Sequence, residues 1–126
     1  MCEYITKFKN SSLESRLEES QKIRAKYPDR IPIIVDRHDS NTPKIEKHKF
    51  LCPAHITVSE FQIILRKRMM LKADEAIFLF LESKNGNKVL PRSISLLSEL
   101  YKYNKQEDGF VYLFYAKEST FGFSEY

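Results

Sequence analysis

The sequence predicts one α+β domain in which a long helix packs across a mixed four-stranded sheet. The chain has 126 residues, 42% of them apolar and 30% charged, which suits a single compact domain. Segments with helical periodicity alternate along it with short apolar strands. No window approaches the ~18 uncharged apolar residues of a membrane span, and charges interrupt the first 26 residues. We therefore expect a soluble intracellular protein.

The first 27 residues are predicted to form a helical extension that packs on the domain. Two helices are expected in it: one short turn near residues 4–9 and a longer helix over residues 13–26. Ser11 and Glu14 fit a capping box at its start. The helix ends before Pro28, because the residue that precedes a proline avoids helical backbone angles.

Short runs rich in β-branched and aromatic residues predict the strands. They lie at residues 31–35, 48–52, 76–81 and 110–115, with a short return strand at 89–90 after the turn at Asn85-Gly86. The runs at 76–81 and 110–115 are apolar almost throughout, which predicts central strands covered on both faces.

Two further helices are predicted between these strands. Thr57 and Glu60 form a capping box for a helix over residues 58–70, whose apolar residues fall on one face. Ser95 can cap a shorter second helix. This order of elements suits the ubiquitin-like β-grasp, in which the first and last strands lie parallel at the centre of the sheet. We expect that domain over residues 28–116 and a flexible tail over residues 117–126.

The charge of the chain is uneven. Residues 1–72 carry 15 Lys and Arg against 9 Asp and Glu, whereas residues 73–126 carry 6 against 8. A basic half favours nucleic acid, an anionic membrane or an acidic peptide as partner. No RNA-binding or helix-turn-helix signature accompanies it, so we expect no nucleic-acid partner.

Catalytic and metal-binding motifs are weak. The sequence has no nucleophile elbow, no glycine-rich phosphate loop and no HExxH, so we expect no enzyme. His48, Cys52 and His55 have a spacing that could bind zinc, but a structural site usually needs four ligands. The fourth candidate, His38 or Cys2, has no characteristic spacing. We therefore expect neither metal nor cofactor, and we interpret Cys52 as a small buried apolar residue.

The tail contains one of only three glycines in the chain. Gly86 and Gly109 follow Asn85 and Asp108 in turns, whereas Gly122 has no such role. Taken alone, the tail fits a frayed terminus. The alternative is that Gly122 becomes a C-terminus whose carboxylate reacts. A glycine residue without a Cβ can thread a narrow channel, and its carboxylate can be activated for attack by an amine.

A series of motifs then appears in a fixed order. They are residues 22–35 (KIRAKYPDRIPIIV), 49–53 (KFLCP), 61–68 (FQIILRKR), 107–112 (EDGFVY) and 118–122 (ESTFG). Together they closely resemble the autophagy ubiquitin-like modifiers, the family of microtubule-associated protein light chain 3 and the GABA-A-receptor-associated protein. The resemblance covers about residues 8–122.

The resemblance implies processing and lipidation. A cysteine protease would cut after Gly122, so that Phe121 and Gly122 form the cleavage and conjugation site and residues 123–126 are removed. Activating and conjugating enzymes would then attach Gly122 to phosphatidylethanolamine of the forming autophagosome. The two acyl chains of that lipid hold a soluble domain stably on a membrane. The protein would thus occupy the cytoplasm and, after lipidation, autophagosomal or other vesicle membranes.

The resemblance also implies binding of short cargo-receptor peptides that contain an aromatic residue, two variable residues and an aliphatic residue. Such a peptide would add a strand to the edge formed by residues 48–52. The aromatic pocket would comprise Glu19, Ile23, Pro32, Ile34, Lys49, Leu51 and Phe110. The aliphatic pocket would comprise Phe50, Cys52, Pro53, Ile56, Phe61 and Ile64. Arg30, Lys47 and Lys49 would contact an acidic flank of the peptide.

Some alternatives stay open at this point. Plain core packing explains every apolar member of the two pockets equally well. An unlipidated trafficking or microtubule adaptor that uses the basic N-terminal helices is the alternative function. Two departures from the family pattern also appear: residues 84–88 look like an insertion that lengthens a hairpin, and Cys52 replaces a usual aliphatic residue, which makes the second pocket slightly smaller.

Overall fold

The computed structural model describes residues 3–117 of the chain. This part contains four helices and five strands. In chain order they are α1 (Glu3–Lys9), α2 (Leu13–Lys26), β1 (Arg30–Arg37), β2 (Lys49–Pro53), α3 (Val58–Met69), β3 (Phe78–Glu82), β4 (Lys88–Val89), α4 (Leu97–Asn104) and β5 (Val111–Ala116). The α+β class predicted from the sequence is confirmed.

The strands form one mixed sheet in the order β2-β1-β5-β3-β4. β1 and β5 run parallel at its centre, and the other neighbours pair antiparallel. This is the predicted β-grasp arrangement. The described sheet has five strands and not the four expected, because the short return strand predicted at residues 89–90 is present as β4 and pairs with Leu81 and Glu82 of β3.

Both faces of the sheet are covered, which explains why β1 and β5 are apolar along most of their length. Successive strand residues point to opposite faces. Ile33 and Val35 of β1 pack in the core that includes Phe61 and Leu65 of α3. Ile34 points to the other face, where it packs in a second cluster with Ile5 of α1.

The N-terminal caps of α2 and α4 differ from the sequence prediction. Ser12, not Ser11, caps α2, with its Oγ accepting from the Ser15 backbone N–H at 3.0 Å. The Ser11 hydroxyl instead donates to the Phe8 carbonyl at the end of α1, at 2.5 Å. Of the two adjacent serines, Ser11 is bonded to the end of α1, and Ser12 therefore caps α2.

The N-cap of α4 also lies one residue after the predicted cap. Leu96 occupies the N-cap position, and the carboxylate of Glu99 accepts its backbone N–H at 2.9 Å. Ser95 is therefore not the cap. The capping box of α3 is confirmed, since Glu60 accepts from the Thr57 N–H at 2.8 Å and Thr57 accepts from the Glu60 N–H at 3.2 Å.

Buried carboxylates hold the first two helices on the sheet. Asp36 of β1 accepts the backbone N–H groups of Tyr4 and Ile5 at 2.8 and 3.1 Å, which satisfies the free donors at the start of α1. Asp108 accepts from Arg16 of α2 at 2.9 Å. These contacts hold α1 against β1 and α2 against the loop before β5. None of the helices within residues 3–117 has the length and apolar character needed to cross a bilayer.

Candidate functional site

β2 is an edge strand whose outer side has no strand partner within residues 3–117. The Val35 N–H donates to the His48 carbonyl at 2.7 Å, and the Ala54 N–H donates to the Asp29 carbonyl at 2.9 Å. Backbone groups alternate in direction along an antiparallel ladder. The N–H and C=O groups of Lys49 and Leu51 therefore point away from β1, where an added strand can pair with them.

The predicted aromatic pocket lies between β2 and α2. Ile34 pairs with Lys49 and Pro32 with Leu51 in the ladder, so these four side chains share one face of the sheet. α2 covers that face. Lys49 Nζ lies 2.7 Å from Glu19 Oε2, and Ile23 packs against the cluster that contains Ile34 and Phe110. The structure thus brings all seven predicted residues to one place.

These seven residues differ in burial, and the difference divides their roles. Ile34 and Phe110 are fully buried and form the base of the cluster. Ile23 and Leu51 are half-buried, and Lys49 is exposed, so these three border the solvent. The part that a ligand can reach is therefore the rim formed by α2 and β2.

Phe8 of α1 belongs to the same cluster, and sequence reasoning missed it. Its ring packs edge-to-face on Phe110 with centroids 5.4 Å apart, and Lys49 Nζ lies 5.0 Å from its centroid. Tyr4 and Phe8 stand one helical turn apart with their rings stacked. This aromatic pair on a short N-terminal helix is the signal that could have placed Phe8 on the sheet.

The predicted aliphatic pocket lies on the opposite face of β2, against α3. Phe50 packs edge-to-face on Phe61 with centroids 5.5 Å apart. Phe50, Cys52 and Phe61 are buried and form its base. Ile56 and Ile64 are half-buried, pack against this core and border the solvent. Pro53 is half-buried too, but the alternation along β2 places it on the face of Lys49 and Leu51 instead. The edge strand therefore separates two apolar clusters, one on each face.

Cationic side chains surround the outer side of β2. Arg30 is exposed, and its Nη1 lies 3.4 Å from the outward carbonyl of Leu51. Lys47 Nζ lies 5.1 Å from the centroid of the Phe50 ring. Together with Lys49, these residues give the edge a positive potential, which suits a peptide with acidic residues beside its strand.

The thiol of Cys52 is part of the apolar base rather than a reactive group. Burial raises its pKa from the ordinary value to about 11, although Lys47 and Arg30 act in the opposite direction. A thiol with this pKa stays protonated at neutral pH, and the thiolate is the nucleophilic form. Cys52 therefore behaves as the small buried apolar residue expected from the sequence.

The three residues considered for zinc do not form a site. His48 Nδ1 lies 2.8 Å from the Val35 carbonyl, and its ring stacks on Tyr4 at 4.1 Å. His55 is exposed, and Cys52 is buried. Between residues 3 and 117, no group of three or more His, Cys, Asp and Glu side chains is placed to hold a metal ion.

The predicted cleavage and conjugation site, Phe121 and Gly122, lies outside the residues that the structure describes. The same holds for the four residues that follow it. This part of the site therefore remains a prediction from the sequence.

Comparison with known proteins places the chain among ubiquitin-like proteins of autophagy. A family model described as "Autophagy protein Atg8 ubiquitin like" matches residues 15–122. Autophagy-related protein 8a of Arabidopsis thaliana is 46% identical over 114 residues, which cover 90% of this chain and 89% of the relative. Autophagy-related protein 8c of the same plant is 48% identical over 111 residues, covering 87% and 89%.

A solved structure supports the same assignment. The structure of Plasmodium falciparum Atg8 in complex with a Plasmodium falciparum Atg3 peptide superimposes with a TM-score of 0.76. The two sequences are 37% identical, and the alignment covers 88% of this chain and 94% of that chain. The similarity thus extends over the fold as well as over the sequence motifs.

Proposed function

Since this chain belongs to the Atg8 family of autophagy ubiquitin-like modifiers, we propose that it is cut after Gly122, conjugated to phosphatidylethanolamine and used to recruit cargo receptors. In this function the chain is a substrate of other enzymes and not an enzyme itself. Its partners are a processing cysteine protease, activating and conjugating enzymes, a phosphatidylethanolamine membrane and receptors with short linear motifs.

The extent of the family match supports Gly122 as the processed residue. The match ends at residue 122 and leaves residues 123–126 outside it. β5 ends at Ala116, six residues before Gly122. Six extended residues reach roughly 20 Å, which is long enough to enter the active-site channel of another enzyme while the domain stays folded. A glycine at the end of that segment offers a carboxylate with little steric hindrance.

Lipidation then determines location. Each buried CH₂ of a lipid chain contributes ~0.8 kcal/mol, so two chains anchor the domain stably whereas one does not. Exposed basic residues add attraction to anionic headgroups. We therefore infer a cytoplasmic pool and a lipidated pool on autophagosomal or other vesicle membranes.

The outer edge of β2, which has no strand partner within residues 3–117, is the main observation that supports receptor binding. The backbone N–H and C=O groups of Lys49 and Leu51 point away from the sheet. One apolar cluster lies on each face of the strand that carries them. A strand added here alternates its side chains between those faces, so residues with opposite orientation enter different clusters. The solved relative binds an Atg3 peptide, which supports peptide recognition as a property of this chain too.

The direct test of lipidation uses a reconstituted conjugation reaction. The chain truncated after Gly122 is incubated with the cognate activating and conjugating enzymes, ATP and phosphatidylethanolamine liposomes. We expect a lipidated product that floats with the liposomes, and no product from the Gly122→Ala variant. Ser119→Ala, a neighbouring tail substitution, is the matched control and should be lipidated normally. Lipidation of the Gly122→Ala variant would contradict the proposal.

The alternative, an unlipidated trafficking or microtubule adaptor, predicts a different result. An adaptor keeps Tyr126 in the cell and binds its partner through the basic residues 7–30, with affinity that falls as salt rises. Detection of the full-length chain with no lipid in autophagy-induced cells would favour this alternative.

A further inference from the structure

A second groove lies on the other side of α2, away from β2. Its volume is about 650 Å³, and α2, the end of α4, the loop before β5 and the β3–β4 hairpin enclose it. α2 contributes Leu17, Ser20, Gln21 and Arg24 to this groove. The i, i+3, i+4 and i+7 spacing puts these residues on one helix face. α2 therefore stands between two separate concave surfaces.

The groove is positively charged. The Tyr101 ring contacts two cations, with Arg24 Cζ and Lys105 Nζ each 4.8 Å from its centroid. Lys84 contributes a third cation from the hairpin, and Glu107 is the one acidic residue among the described residues of the lining. Among residues 3–117, neither Lys84 nor Lys105 forms an ion pair. Lys84 and Lys105 are therefore available to an anionic ligand, whereas Arg24 Nη1 already donates to the Pro28 and Arg30 carbonyls at 2.6 Å each.

The base of the groove is rigid. Ser20 donates from its buried hydroxyl to the Asp108 carbonyl at 2.5 Å, which joins α2 to the loop before β5. Gly109 has φ 85°, and a Cβ there would lie 2.3 Å from Ser20 Oγ, so only glycine permits this close approach. The Asp108 carboxylate is already paired with Arg16 and does not reduce the positive charge of the groove. A ligand therefore meets a preformed surface.

We propose that this groove binds an acidic peptide segment of a partner protein. Carboxylates of the segment pair with Lys84 at one wall and with Lys105 at the other, while an apolar side chain packs on Leu17 and the Tyr101 ring. The cations come from three separate elements. Charges spread along an open groove suit an extended acidic chain better than a compact ion.

The β3–β4 hairpin contributes Lys84 to the wall of the groove. Residues 84–88, which include Lys84, look like an insertion when the sequence is set against the family pattern. None of the described residues that line the groove belongs to β2. The acidic partner can therefore bind together with a receptor peptide.

Titration of the isotope-labelled full chain by NMR tests the proposal. The probe is an acetylated heptapeptide of sequence EELEDLE, and the control peptide has Gln and Asn in place of its acidic residues. We expect saturable amide shifts around residues 17–24, 84 and 101–109 with the acidic probe alone, weakened by added salt. Absence of saturable shifts in these segments, or shifts confined to residues 48–53, overturns the proposal.

Charge reversal provides the matched comparison. The Lys84→Glu/Lys105→Glu variant should bind the probe at least about ten-fold more weakly. The Lys67→Glu/Lys102→Glu variant changes net charge equally at two exposed lysines outside the groove and should stay within about two-fold of the unmodified chain. Equal weakening in both variants would show attraction to overall charge and would overturn the proposal.

Discussion

Lys49 Nζ of β2 lies 2.7 Å from Glu19 Oε2 of α2, so a single ion pair joins the edge strand to the helix across the mouth of the aromatic pocket. Both side chains are more than a third exposed, at 45% and 35%. Exposed pairs of this kind typically contribute ~1 kcal/mol or less. A carboxylate of an incoming peptide can therefore replace Glu19 at Lys49 with little loss of stability.

Removing the Glu19 charge should strengthen binding of peptides with acidic flanks. The Glu19→Gln variant frees Lys49, and we expect an affinity gain of about two- to five-fold by calorimetry, with stability changed by less than ~1 kcal/mol. Glu18→Gln removes the same charge at an exposed position on α2 and serves as the control. A gain that is equal in the two variants would show a general charge effect and not release of Lys49.

Shortening Leu51 should weaken receptor-peptide binding while the fold remains stable. Leu51 is half-buried at the rim of the aromatic pocket, and we expect Leu51→Ala to reduce affinity by about ten-fold or more. Val89→Ala is the control, because Val89 is an exposed apolar residue in the strand at the other edge of the sheet. If Val89→Ala weakened the binding of the same peptide as much, the assignment of the site to β2 would be wrong.

The Arg16–Asp108 pair should contribute strongly to stability. Asp108 is buried and also accepts from the Tyr112 hydroxyl and from the Phe110 N–H. Arg16→Ala leaves this carboxylate without its cation, which typically costs about 3–5 kcal/mol. Urea unfolding measures the change, and Arg68→Ala on the exposed face of α3 should cost less than ~0.5 kcal/mol. A small effect of Arg16→Ala would show that the hydrogen bonds to Asp108 suffice.

Cys52 should make stability fall at alkaline pH. Its folded pKa is about 11, above the ordinary value of 9.0 that applies to the unfolded chain. The stabilising contribution is complete below pH 9 and is lost as the pH rises towards 11, because unfolding then releases the thiol proton.

The test compares Cys2→Ser protein with the Cys2→Ser/Cys52→Val variant in urea between about pH 8 and 10.5. The protein that keeps Cys52 should lose about 2 kcal/mol more over this interval. Parallel pH profiles would indicate that Cys52 ionises in the folded protein as readily as in the unfolded one.

Local patterns predicted the elements well. α2 has the predicted bounds, and β2 begins and ends within one residue of the prediction, because periodicity, prolines and caps act over a few residues. The caps of α2 and α4 were each displaced by one residue. Ser11 donates to the Phe8 carbonyl at the end of α1, which leaves Ser12 to cap α2, and Glu99 accepts the Leu96 N–H at the start of α4.

The site depended on tertiary packing that the sequence pattern does not contain. Ile34 and Phe110 lie in apolar strands, and only the docking of α1 and α2 shows that they form a buried base rather than an open pocket. Phe8 joins that base from α1. The basic groove was not predicted either, because its cations come from α2, the hairpin and the end of α4, which are far apart along the chain.

The intact mass of the protein from autophagy-induced cells tests the proposed function most directly. The proposal predicts loss of the four residues from Phe123 to Tyr126, and a lipidated form whose added mass equals phosphatidylethanolamine. Both mass changes should be found on a chain that ends at Gly122. A chain that retains Tyr126 and carries no lipid under these conditions would contradict the proposal.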